Sequence, residues 1–180
     1  MEPPFDIAAD LDTPVSAYLK LKDFAPKFLL ESAESGERLA RYSFVGLGSA
    51  LSLEIYADRI VVDGKSKPRP AGVGAWQDLM RQTLTYCPEL KPAIDDVPFN
   101  GGLVGATGYD IVRFFERLPP MTSLRPEQPQ AAYVAPKSLL VFDHLTRRVA
   151  LLHSGSEKER QALRADVIDA LRGGIETPDG

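Results

Sequence analysis

The side chains in this 180-residue sequence best suited to acid–base, nucleophilic or metal chemistry are few: two histidines, His144 and His153, one cysteine, Cys87, and one paired carboxylate, Asp95-Asp96. Neither histidine has a partner at metal-ligand spacing, and a single thiol cannot build a zinc site. No serine sits in a nucleophile elbow of the G-x-S-x-G kind. Asp95-Asp96 lies among Pro88, Pro92 and Pro98, where two adjacent carboxylates are expected to be solvated. Gly101, Gly102, Gly105 and Gly108 invite a phosphate-loop reading, but their spacing is not G-x-G-x-x-G. Gly64-Lys65-Ser66 imitates the end of a P-loop, yet the residue at the first required glycine is Arg59. Tight turns and close backbone packing account for these glycines. From residue types and spacing alone, the chain carries neither a catalytic nor a metal-binding set.

Composition narrows the remaining classes. Hydrophobic residues make up 44% of the chain, enough for a core, and the net charge is -4 with a pI near 5.3. Nucleic-acid binding calls for a concentrated basic face. The pairs Arg38/Arg41 and Arg147/Arg148 are too sparse to supply one, and they read as solvated turn positions. The unpaired Cys87 suits a reducing compartment. The opening Met1-Glu2-Pro3-Pro4-Phe5-Asp6 lacks the basic and apolar regions of a signal peptide, and no apolar run is long enough to span a bilayer. The expectation is a soluble, cytoplasmic protein without a nucleic-acid or membrane partner.

The elements that would position a site follow from periodicity and breakers. Thr13-Pro14 caps and opens a short helix carrying Val15, Tyr18 and Leu19, which ends before Pro26. Phe28 to Ser32 and Tyr42 to Gly46 read as strands separated by a polar loop, and Leu51–Tyr56 with Arg59–Val62 as a hairpin. Asp63-Gly64 is then expected to turn the chain away into a proline-marked loop. Trp76, Leu79, Met80 and Leu84 fall at helical spacing over 75–86. The prolines at 88, 92 and 98 suggest an irregular linker, Gly101 to Gly105 a buried strand, and Tyr109 to Leu118 a short helix, followed by loop as far as Pro136. Lys137–Phe142 and Arg148–Leu152 form a second hairpin. Ser156 with Glu159 is a capping box opening a last helix, striped by Leu163, Val167, Ala170 and Leu171 and closed by Gly173. Paired strands with single interposed helices predict an α+β fold, largely antiparallel sheet with helices packed on the outside. One domain is expected over 1–174, with 175–180 as the start of a linker.

One set of blocks is more specific. Leu29-Leu30-Glu31-Ser32 is followed by Arg41-Tyr42-Ser43-Phe44, then by Gly101-Gly102-Leu103-Val104-Gly105 and Gly108-Tyr109-Asp110-Ile111-Val112-Arg113, with Asp12-Thr13-Pro14 ahead of them all. In this order they resemble the amino-terminal portion of the anthranilate synthase large subunit, component I. The family usually carries an aromatic residue where this chain has Ala106.

The resemblance implies an incomplete portion of the two-domain chorismate-utilising enzyme fold. The parent enzyme would convert chorismate and ammonia to anthranilate and pyruvate. Its Mg2+ would be bound by a carboxy-terminal chorismate-binding domain, its ammonia supplied by a glutamine amidotransferase subunit, and L-tryptophan would act as feedback inhibitor. No cofactor and no catalytic residue is implied for this segment, which is expected to be inactive alone. The resemblance carries over part of the inhibitor site: Ser32 as a tryptophan contact and, after the loop, Arg41, with Leu30, Glu31 and Tyr42 as neighbours. An amino-acid ligand needs acceptors, donors and apolar walls. Glu31 and Ser32 offer acceptors, Arg41 a forked carboxylate donor, and Leu30 and Tyr42 apolar surface. Strand alternation puts Leu30 and Ser32 on one face and Glu31 on the other, so Glu31 contributes its backbone or pairs with Arg41. The corresponding domain of aminodeoxychorismate synthase and a free-standing small-molecule binding module are the alternatives.

Overall fold

The computed structural model describes residues 4–9, 11–31, 41–118 and 127–175. In chain order the elements are β1 (Ile7–Ala8), α1 (Pro14–Lys20), a 3-10 turn (Lys22–Phe24), β2 (Pro26–Leu30), β3 (Tyr42–Leu47), β4 (Leu51–Ile55), β5 (Arg59–Val62) and β6 (Lys65–Pro68). There follow α2 (Gly72–Thr85), β7 (Val104–Thr107), a second 3-10 helix (Tyr109–Phe114), β8 (Ala131–Ala135), β9 (Ser138–Asp143), β10 (Arg148–His153) and α3 (Glu157–Arg172). The fold is α+β, with two five-stranded sheets whose neighbouring strands all run antiparallel. The chain divides into two compact units: residues 1–48, 89–101 and 136–180 form one, and 49–88 with 102–135 the other. Among the described residues no helix is long and apolar enough to cross a membrane.

In the first unit the sheet order is β1-β10-β9-β3-β2. The central strands β9 and β10 are apolar at consecutive positions rather than alternate ones, and both faces of the sheet are covered. Val45, Leu47, Leu140, Phe142, Val149 and Leu151 face the helices, packing with Ala17 and Leu21 at α1 and with Val167 and Leu171 of α3. Phe44, Leu139, Val141, Ala150 and Leu152 face the other way, onto Leu90, Ile94 and Val97. The proline-marked stretch expected as a linker is therefore a lid over the sheet's second face. Local signals for the helices act as the sequence suggests. Thr13 Oγ1 accepts from Ser16 N at 3.1 Å to open α1, and Ser156 and Glu159 close a reciprocal capping box on α3. Helix α1 stops at Lys20 and passes into the 3-10 turn, whose exit at Ala25 has a positive φ of 51°.

In the second unit the order is β6-β5-β4-β8-β7. Strand β4 alternates, burying Leu51, Leu53 and Ile55. These pack with Ile60, Trp76, Ile111, Phe114 and Ala131. Four expectations are corrected here. Asp63-Gly64 does not turn the chain away: with φ of 47° and 75° it closes a tight β5–β6 hairpin, and the Asp63 carboxylate accepts from Ser52 N at 2.7 Å. Lys65–Pro68 is that hairpin's exposed second strand, where the edge position tolerates proline. The strand near the glycines starts later, at Val104, and is a mostly exposed edge rather than a buried strand. The supposed loop before Pro136 contains β8, a central strand whose composition (Ala131-Ala132-Tyr133-Val134-Ala135) gave little β signal. The helix expected to run to Leu118 is a 3-10 helix ending at Phe114.

Candidate functional site

Of the residues singled out by the sequence, Leu30, Glu31, Arg41 and Tyr42 lie at one end of the first unit's sheet. Strands β2 and β3 are antiparallel neighbours, with Leu30 opposite Phe44, so the end of β2 and the start of β3 coincide in space. Leu30 is the last residue of β2 and lies on the same face as Phe44 and Tyr42, exposed to 38%. Glu31 follows it and is exposed. Ser32 lies outside the described residues. Tyr42 opens β3 half-buried, its ring stacked on Phe5 at 6.4 Å between centroids.

Arg41 stands immediately before β3. Its guanidinium lies 4.8 Å from the centre of the Tyr42 ring and closes a fork on Asp143: Nε donates to Oδ1 at 3.1 Å and Nη2 to Oδ2 at 2.8 Å. The carboxylate that holds Arg41 is thus Asp143, at the end of β9, and not Glu31. Asp143 is 2% exposed and also accepts from Leu145 N at 3.0 Å. Burial works to raise this carboxyl, but the hydrogen bonds from Arg41, Leu145 N and Thr146 outweigh it and hold it below its ordinary value. The same carboxylate keeps the Arg41 pKa above its usual value. Two of the five guanidinium N–H groups are spent on Asp143, and the Arg41 side chain as a whole is 40% exposed. Around it, Arg41 O accepts from His144 N at 2.9 Å, and the His144 ring bonds Ser43 Oγ at 2.8 Å. The arrangement fixes a cation beside an aromatic ring, which suits the carboxylate and apolar body of an amino acid.

Sequence reasoning missed Asp143. It is separated from Arg41 by 102 positions, and no local pattern marks a strand-end aspartate as an arginine partner. Of the other candidate groups, His144 is an exposed hairpin residue and His153 a buried strand end bonded to Ser138, while Asp95 and Asp96 are exposed. Burial raises the Cys87 thiol pKa, which disfavours a thiolate.

Comparison with known proteins places this geometry in context. The chain is 38% identical over 160 residues to anthranilate synthase component 1 of Thermus thermophilus, covering 87% of this chain and 32% of that protein. It is 30% identical over 172 residues to the protein of that name from Acetivibrio thermocellus, covering 93% and 34%. With the Acinetobacter calcoaceticus protein the identity is 33% over 182 residues, covering 94% and 36%. The crystal structure of anthranilate synthase component I from Streptococcus pneumoniae has the same fold over 97% of this chain and 37% of its own, with a TM-score of 0.57 at 21% identity. No family model matches. The chain spans about a third of the length of the relatives it matches.

Proposed function

By sequence this chain belongs with the amino-terminal portion of anthranilate synthase component 1, and from that premise we propose that it holds the inhibitor-sensing part of an enzyme making anthranilate and pyruvate from chorismate and ammonia. The observation that carries this reading is the convergence of Leu30-Glu31 and Arg41-Tyr42 at one sheet end, in a chain 38% identical to such a protein over 160 residues. Tryptophan is the proposed ligand. Its carboxylate meets the outer edge of Arg41, its indole lies on Leu30 and Tyr42, and Ser32 with the Glu31 backbone offers hydrogen-bond acceptors. Asp143 prepays the ordering of the Arg41 side chain, so less rotamer freedom is lost on binding. The chorismate chemistry and its magnesium belong to a carboxy-terminal chorismate-binding domain, and ammonia to a glutamine amidotransferase subunit, all in a cytoplasmic setting. Among the described residues no group of three or more His, Cys, Asp or Glu is gathered to hold a metal, and the proposal puts none on this chain.

The test is Ser32→Phe introduced into the complete enzyme. Filling the pocket should raise the tryptophan concentration for half-inhibition by tenfold or more, since one buried hydrogen bond alone is worth roughly 1–3 kcal/mol. Anthranilate formation without inhibitor should stay close to the parent rate. Unaltered inhibition would overturn the assignment.

A further inference from the structure

A cavity lies within the first unit, at the opposite end of β3 from Arg41, and nothing in the proposed function uses it. It has a volume of about 340 Å³, within the range of small-ligand sites. Phe24, Leu47 and Leu163 give it an apolar wall. Its polar side is built from three elements: Lys137 and Ser138 where β9 begins, His153 where β10 ends, and Glu159 in the first turn of α3.

The histidine is the unusual group. His153 is 5% exposed, and its Nδ1 is bonded to Ser138 Oγ at 2.8 Å. Its Nε2 makes no hydrogen bond with the described residues and is not sealed from solvent, so it is open to the cleft. Gly155 keeps the approach to that nitrogen open: a Cβ at this position would sit 2.6 Å from His153 Nε2 and 2.6 Å from Glu159 Oε2. When the Ser138 hydroxyl donates to Nδ1, Nε2 carries the proton and becomes a donor facing the cleft. Lys137 is exposed at the rim and makes no ion pair among the described residues. Glu159 Oε2 is engaged in the capping box, accepting from Ser156 N and Ser156 Oγ at 2.7 Å each. Its negative charge opposes any anion at Nε2; the Lys137 ammonium, which also acts on Glu159, offsets that repulsion better for a singly charged ligand than for a phosphate dianion.

We propose that this cleft binds a small organic monocarboxylate, its carboxylate held between the Lys137 ammonium and His153 Nε2–H and its apolar ring or chain laid against Phe24, Leu47 and Leu163. Burial, with Lys137 nearby, lowers the His153 pKa, so the ring is neutral near neutral pH and binds as a hydrogen-bond donor rather than as a cation. The proposal does not rest on the inhibitor site at the other end of the sheet.

The experiment is a titration of the full 180-residue chain, labelled with 15N at histidine, using sodium phenylacetate as the probe and phenylacetamide as its neutral counterpart. The expected result is a saturable shift of the His153 Nε2 resonance with phenylacetate and at least about tenfold weaker binding of the amide, the size of one charge-assisted hydrogen bond. Lys137→Met, at an exposed position where folding is not at stake, should weaken phenylacetate by a similar factor. Gly155→Ala should close the approach to Nε2 and abolish the shift. No saturable shift, equal binding of acid and amide, or unaltered affinity in both variants would each overturn the proposal. So would a response confined to His144, which would put the carboxylate at the Arg41 end instead.

Discussion

At the scale of single residues, the informative pair is Arg41 and Asp143. A carboxylate buried to 2% exposure stays ionised only because the guanidinium fork and two further donors hold it. Its pKa is depressed in the folded state, so the associated stability is fully present above the unfolded value of 3.8 and is lost as pH falls through the lower folded value. Thermal melts of the parent and Asp143→Asn should therefore differ most at neutral pH and draw together below about pH 4. A constant difference across that range would remove Asp143 from the account. Arg41→Lys keeps the charge but loses the fork, and should still lower the midpoint of denaturant unfolding. If Arg41 also holds the ligand carboxylate, the same substitution in the complete enzyme weakens tryptophan inhibition without a matching loss of turnover.

At the scale of elements, two positions show how local chemistry fixes packing. Gly46 in β3 faces Phe28 across the ladder, and a Cβ there would fall 2.2 Å from the Phe28 ring. Gly46→Ala should cost about 1–3 kcal/mol through overpacking, read from the midpoint of urea unfolding. Helix α3 depends on its first turn. Ser156→Ala removes the cap to Glu159 N and should cost about 1 kcal/mol in the same assay. The Glu157 carboxyl, held at a pKa of about 2 by hydrogen bonds from Arg160 and Gln161, reinforces the same helix end, where negative charge is favourable. Part of this was legible beforehand. The S-x-x-E capping box and the T-P helix start are local codes read within four residues. Strand β8 was not legible, because its small residues earn their place only between β4 and β7. Gly105 shows the same dependence: its missing Cβ lets β7 approach Ala132 O and Tyr133 on the neighbouring strand.

For the whole molecule, the chain spans about a third of its relatives' length, and its surface retains apolar groups: Leu11, Val15 and Leu19 around α1, Tyr109 and Phe115 in the second unit. Among the described residues, strand β7 also has one edge without a strand neighbour and carries no charge or proline to block pairing. The 180-residue chain should therefore self-associate as its concentration rises, detectable as a growing weight-average mass in sedimentation equilibrium. A mass that stays monomeric at all concentrations would show that these surfaces do not drive association.

The sequence by itself determined the family, the α+β class and the positions of most strands and helices, because ordered motif blocks, periodicity and caps are local patterns. It also marked Leu30, Glu31, Ser32, Arg41 and Tyr42 as a group, through the L-L-E-S and R-Y-S-F blocks. Only the tertiary structure decided what faces what. It turned a proline-rich stretch into the cover of a sheet face, closed Arg41 on an aspartate 102 positions away, and set His153 beside Ser138 at the foot of a cleft. Each of these joins residues distant along the chain, and such pairings are fixed by burial and strand register rather than by any signal either partner carries alone.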